Sequence, residues 1–197
     1  MYPHPYYCWP DFPGVENFYF INIPKNCTTT VRNWAAWIGT RNGKLTEPFR
    51  FTILRDPYGR LKSTFAYGLS QRYSYLETVE SIGNKLLGAS ELSGDLLTHF
   101  IPQHVFLEHA PVKPEHYYHS GQMRELRQVL SERSGIDLIW IHENRSRYSA
   151  EFTEQYNNWF VKNQSWIDDY LGFIEHICRY HFSYDFLSQQ LLQFLFA

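Results

Sequence analysis

Cysteine is scarce in this chain of 197 residues: Cys8, Cys27 and Cys178 are all there is. The count is odd and no C-x-x-C pair occurs, so neither a disulfide framework nor a zinc knuckle is expected, and a reducing compartment is the simpler reading. Basic excess is missing too. A formal net charge of -2 excludes the strongly basic balance of a protein that coats nucleic acid or an acidic membrane, so any polyanionic partner has to be met by local chemistry. No run of about 18 apolar residues is present, and the opening MYPHPYYCWPDFPGV has no basic segment followed by an apolar one. The expectation is a soluble, cytoplasmic chain with no nucleic-acid and no membrane partner. Zinc-protease spacing is absent as well. His99, His104 and His109 recur every five residues, which neither places them on one helical face nor matches H-E-x-x-H, so no metal is expected.

Aromatic residues are plentiful: 15 Tyr, 15 Phe and 6 Trp suit a bulky core and equally a groove that stacks planar or sugar rings. For Tyr6, Tyr7 and Trp9, in a Pro- and Tyr-rich arm over 1–16, core packing is the better reading. The length fits one domain, 1–197, large enough to bury a core without disulfides or metals. No repeat, low-complexity tract or linker marks a boundary.

Phe18 to Ile23 reads as a buried strand stopped by Pro24. Thr28, Thr29 or Thr30 can cap a following helix that carries Val31, Trp34, Ala35 and Ile38 on one face and ends over 39–43. RFTILRDP, residues 50–57, is a second strand, and Pro57 suits the first turn of a helix through Leu61, Phe65 and Leu69. Helical periodicity recurs over Leu76 to Leu87, Met123 to Leu130 and most of the chain from Phe152, and IDLIWIH, residues 136–142, reads as a third strand. The terminal FLSQQLLQFLFA forms an amphipathic helix that can dock on the domain or on a second subunit, which leaves a homodimer open. Strands alternating with helices imply an α/β fold with a central, mainly parallel sheet flanked by helices. Ligands of such sheets sit at the carboxyl ends of the strands, where Lys25 and Arg55 both fall.

The turn after the first strand, PKNCTTT, puts an ammonium and a run of hydroxyls at a helix N-terminus, whose unpaired N–H groups and positive dipole end favour an anion. A phosphate or sulfate group fits. In a Walker A loop the lysine follows the glycines as G-x-x-x-x-G-K-[ST]; here it precedes the hydroxyls directly after a proline, so this is not an ordinary NTPase loop. Of the N-x-[ST] sequons at Asn26, Asn144 and Asn163, the first lies inside this turn, where a glycan would block any ligand.

PKNCTTT resembles the 5′-phosphosulfate loop of sulfotransferases, roughly P-K-x-G-x-T, and LRDPYGRLKSTF, residues 54–65, resembles their 3′-phosphate motif, R-D-P-x-x-R-x-x-S. HFIPQ, residues 99–103, is similar to the H-[WF]-x-P-Q segment of the carbohydrate-type, family 2-like branch, and YDF, residues 184–186, to a late element of it. The resemblance implies a P-loop-like three-layer α/β fold and a donor, 3′-phosphoadenosine 5′-phosphosulfate, used without metal. It implies that Lys25 contacts the phosphosulfate, that Thr28, Thr29 and the N–H groups of Asn26, Cys27, Thr28, Thr29 and Thr30 donate to it, and that Arg55 and Ser63 hold the 3′-phosphate. Ser63 lies about two turns into the second helix, so two neighbouring strand ends are placed to grip the two ends of one nucleotide. Cys27 stands where the pattern has glycine, which is expected to deprive the loop of a residue that takes φ > 0.

Sulfuryl transfer is expected to follow phosphoryl-transfer logic, with in-line attack and catalysis by positioning and electrostatics. Lys25 then stabilises the leaving phosphate, and His99 is the candidate base for the acceptor hydroxyl, because it heads HFIPQ and an imidazole ordinarily titrates near neutrality; a glycan is the expected acceptor. Two rivals stand beside this enzyme. A nucleotide or small-molecule kinase lacks the Walker A order and an obvious Mg²⁺ aspartate here. A catalytically degenerate module would hold the nucleotide or a sulfated glycan without turnover. Structural readings also remain: Arg55 and Asp56 as an ion pair at a helix start, Asp56 and Arg60 as scaffold, His99 as a hydrogen-bonded packing residue, and His116 and His119 as surface residues.

Overall fold

The strand over Glu16–Ile21 (β2) follows its alternating pattern, with Phe18 and Phe20 buried on one face and Tyr19 half-buried on the other. It lies in a computed structural model that describes residues 8–10, 14–70, 99, 103–108, 110, 112–140 and 148–169. These fall into two units, Met1–Asp56 with Gln103–Ser146, and Pro57–Pro102 with Arg147–Ala197.

The first unit holds a four-stranded sheet in the order β1-β2-β3-β4, from Cys8–Pro10 (β1), β2, Lys44–Leu54 (β3) and His116–His119 (β4). β2, β3 and β4 run parallel, and β1 joins β2 antiparallel as an edge strand, the place in a sheet that tolerates Pro10, which has no N–H to donate. The arm therefore contributes a strand, and the class is a mixed α/β fold.

Thr28–Gly39 (α1) connects β2 to β3 in a β-α-β unit. Its apolar residues at 31, 34, 35 and 38 form one stripe and are fully buried. Burial of Val31 and Ile38 alone stabilises the unit by about 1.5–3 kcal/mol each. The chain leaves α1 through N–H groups of Asn42 and Gly43 that both reach Ile38 O at 2.9 Å, with Gly43 at φ 70, a conformation that favours glycine. Met123–Ser134 (α4) supplies Met123, Leu126 and Leu130 to the same core, around Phe18, Phe20, Phe49, Phe51 and Ile53.

Two strand expectations are corrected. β3 starts at Lys44 rather than at 50, because the exposed, Pro48-bearing segment enters beside a register shift at Asn17 (φ 66), whose Nδ2 donates to Leu45 O at 3.1 Å. Residues 136–140 of the apolar run IDLIWIH form no strand, and 141–142 lie outside the described residues. Side chains take their backbone groups instead: Leu138 N–H donates to Ser131 Oγ at 3.1 Å, and Ile139 O accepts from Trp34 Nε1 at 3.0 Å. The third parallel strand is HYYH.

In the second unit, Leu61, Phe65 and Leu69 of Pro57–Ser70 (α2) are buried. Phe65 meets Trp159, of Ala150–Lys162 (α5), at a ring separation of 5.2 Å. Tyr156 Oη donates to Lys62 O at 2.6 Å, and Ser149 Oγ caps α5 by accepting from Phe152 N–H at 3.0 Å. Among the described residues no helix is long and apolar enough to cross a membrane. The expected helices over 76–87 and at the C-terminus, and the YDF element, lie outside them.

Candidate functional site

β2 ends at Ile21, and within a few residues the chain must turn into α1. The turn is tight: Asn26 N–H donates to Ile23 O at 3.2 Å. Lys25 takes φ 68, and Cys27 takes φ 58 and ψ 21. The left-handed conformation that glycine would supply is thus adopted by cysteine itself, against expectation, at a cost of about 1–3 kcal/mol for each such residue. Cys27 is also the N-cap of α1 with no side-chain cap bond, in place of the expected threonine.

A left-handed residue followed by the helical Thr28 turns successive N–H groups into one concavity, the arrangement of anion-binding nests. The α1 ladder begins with Val31 N–H donating to Cys27 O at 3.2 Å. The N–H groups of Thr28, Thr29 and Thr30 accordingly have no acceptor four residues back in the helix. Thr29 is exposed, Thr30 is buried, and Thr28 Oγ1 turns inward to Asn22 Oδ1 at 2.6 Å and Ile23 O at 3.2 Å. One hydroxyl hydrogen serves either acceptor, so Thr28 closes the turn.

Asn26 is completely buried, and its Nδ2 donates to Ile53 O at 2.7 Å and to Gln103 Oε1 at 2.6 Å. Its backbone N–H, expected to face a ligand, is used within the turn by Ile23 O, and its side chain fixes the turn to β3. Asn26 Oδ1 is buried with no hydrogen-bond partner among the described residues. Gln103, the first residue of Gln103–Glu108 (α3), binds Arg55 as a strand neighbour would: Oε1 accepts from Arg55 N–H at 2.9 Å and Nε2 donates to Arg55 O at 2.7 Å. The Arg55 guanidinium in turn donates to Lys25 O at 3.3 Å. Arg55 and the lysine turn are thus brought together, on the strand ends where both were expected.

Burial pushes the Cys27 thiol above its ordinary range, and the positive charge of Arg55 offsets part of that. At neutral pH Cys27 is a protonated packing group rather than a nucleophile.

Ser63 is half-buried on α2, and His99 belongs to the same second unit. The His99 ring stacks on Tyr67 at 5.2 Å and its carbonyl accepts from Thr64 Oγ1 at 3.2 Å, so it is held by packing. His116 and His119 are exposed; His119 Nδ1 accepts from Gly121 N–H at 3.2 Å. Among the described residues no group of three or more His, Cys, Asp or Glu is placed to hold a metal.

Sequence reasoning missed Gln103. The HFIPQ segment drew attention to its histidine, whereas its glutamine reaches the turn. Its partners lie 48 and 77 residues away in the chain, so no local spacing exposes the link. Comparisons with protein families, with curated proteins and with solved structures found no match for this chain.

Proposed function

We propose that the turn 23–30 is the phosphosulfate loop of a sulfotransferase of P-loop-like, three-layer α/β type, using 3′-phosphoadenosine 5′-phosphosulfate as donor and a glycan hydroxyl as acceptor. The observation that carries this reading is the strained turn: two non-glycine residues at positive φ, at the carboxyl end of a parallel strand, opening directly onto a helix N-terminus beside Arg55. Strain of this kind persists where the surroundings over-determine it, and it clusters at ligand sites. The order Pro24, Lys25, then the threonines adds the resemblance to P-K-x-G-x-T.

In this reading the acceptor oxygen forms a bond to sulfur as the bridging bond to the phosphate breaks, and the acceptor proton passes to a base. The N–H groups at the start of α1 and the Lys25 ammonium stabilise the charge that develops on the leaving phosphate, which ends as adenosine 3′,5′-bisphosphate. Arg55 supports the anionic donor. Ser63 and His99 keep the roles implied by the resemblance alone.

Release of adenosine 3′,5′-bisphosphate from the donor, followed with a panel of hydroxyl-bearing glycans, tests the proposal. Wild type releases it in an acceptor-dependent manner, and Lys25→Ala loses turnover by a larger factor than it loses donor affinity. Nucleotide binding without release from any acceptor would make the protein a binding module instead.

A further inference from the structure

We infer that Gln103 is a positioning residue that couples the lysine turn to Arg55, so that a nucleotide carrying two anionic groups is favoured over one carrying a single group; the selectivity half of this inference rests on the donor site proposed above. One side-chain amide makes three bonds across three segments. Its Oε1 accepts from Asn26 Nδ2 at 2.6 Å and from Arg55 N–H at 2.9 Å, and its Nε2 donates to Arg55 O at 2.7 Å. Both amide orientations follow from the partners, since Asn26 Nδ2 faces two oxygens, Ile53 O and Gln103 Oε1, and Gln103 Nε2 faces a carbonyl.

The consequence is mechanical. Arg55 lies just past the end of β3 with its N–H and C=O both engaged by Gln103, which fixes the direction in which its side chain leaves the backbone. The same oxygen pins the fully buried Asn26, the residue between the two left-handed positions Lys25 and Cys27. Loss of the amide therefore frees both cationic elements together. Acceptance at Oε1 polarises the same amide and so strengthens its donation from Nε2 to Arg55 O.

The test is amide hydrogen exchange on the full chain, read at Arg55 and Asn26 in wild type, Q103L and Q103E, with amides of α4 as the reference for overall stability. In Q103L both positions should exchange about tenfold faster or more, beyond any change in α4, on the scale of one or two lost hydrogen bonds. Q103E supplies the conservative rescue. Its carboxylate cannot donate to Arg55 O, but a carboxylic acid can, so its protection relative to wild type at the same pH should recover as pH falls toward the carboxyl range. In parallel, Q103L should lose affinity for adenosine 3′,5′-bisphosphate about tenfold more than for adenosine 5′-monophosphate.

Faster exchange at Arg55 with Asn26 unchanged, or no change at either, overturns the coupling. Equal affinity losses for the two nucleotides overturn the selectivity role. If wild type binds neither nucleotide, the proposed donor site fails and selectivity fails with it, while the exchange result decides the coupling alone. If Q103L does not fold, Q103E decides it through the pH dependence: protection that does not recover on acidification contradicts the inference.

Discussion

Replacing Asn26 by aspartate changes one atom in the middle of the turn, and the structure sets what that costs. Asn26 Nδ2 donates to Ile53 O and Gln103 Oε1, and the side chain is completely buried. Asn26→Ala removes two donations worth about 1 kcal/mol each and leaves a cavity and an unmet carbonyl, for a loss of about 2–4 kcal/mol. Asn26→Asp keeps the volume but places a carboxylate oxygen against two acceptors. At pH 7 the loss should be about 3–5 kcal/mol, the scale of a buried charge without its partner, with the nearby Arg55 guanidinium offsetting part. The carboxyl in the folded state then holds its proton to higher pH than in the unfolded state. Its relative stability is fully present below the unfolded value of about 3.9 and is lost as pH rises through the folded value. Urea denaturation of wild type, Asn26→Ala and Asn26→Asp at pH 7 and near pH 5 checks this. The aspartate variant should approach the alanine variant or exceed its stability at the lower pH. An Asn26→Asp protein as stable as wild type at pH 7, with no pH dependence relative to it, refutes the account of the turn.

Three further outcomes follow from the same residues. Cys27, tested in a Cys8→Ser, Cys178→Ser background, should react with iodoacetamide more slowly at pH 7 than a free thiol. Because burial raises its folded-state pKa, stability relative to Cys27→Ala is fully present below the ordinary thiol range and declines as pH rises through the folded value; rapid stoichiometric labelling at pH 7 contradicts this. Cys27→Gly should lie within about 1 kcal/mol of wild type, relief of the left-handed strain being offset by chain entropy and lost packing, whereas the β-branched Cys27→Val should cost about 2 kcal/mol or more; denaturation midpoints decide. The sequon at Asn26 should carry no glycan on folded protein secreted from a glycosylating host, since its Nδ2 is buried and bonded twice; mass spectrometry showing occupancy on folded protein contradicts the burial.

The parts legible in the sequence are those where one local pattern decides the structure. The α1 stripe at 31, 34, 35 and 38 and the aromatic alternation of β2 each bury a face that its own period defines. The turn from strand to helix was legible from Pro24 and the threonines, but not its backbone: cysteine's own preference is against φ 58, and the neighbouring Asn26 is held by Ile53 and Gln103, both distant in the chain. Exchanging IDLIWIH for HYYH as the third parallel strand shows the same limit. An apolar run forms a strand only if a neighbour offers a ladder, and Ser131 and Trp34 engage that segment first, while the more polar HYYH pairs with β3.

The central claim is that the turn and Arg55 bind a doubly anionic nucleotide with cationic side chains and N–H groups. Calorimetric titration of the full chain with adenosine 3′,5′-bisphosphate, with and without a chelator, set beside ATP with Mg²⁺, tests it most directly. The account predicts saturable binding of the bisphosphate that the chelator leaves unchanged, and weaker binding of ATP. Tight binding of ATP that requires Mg²⁺, with none of the bisphosphate, would contradict it.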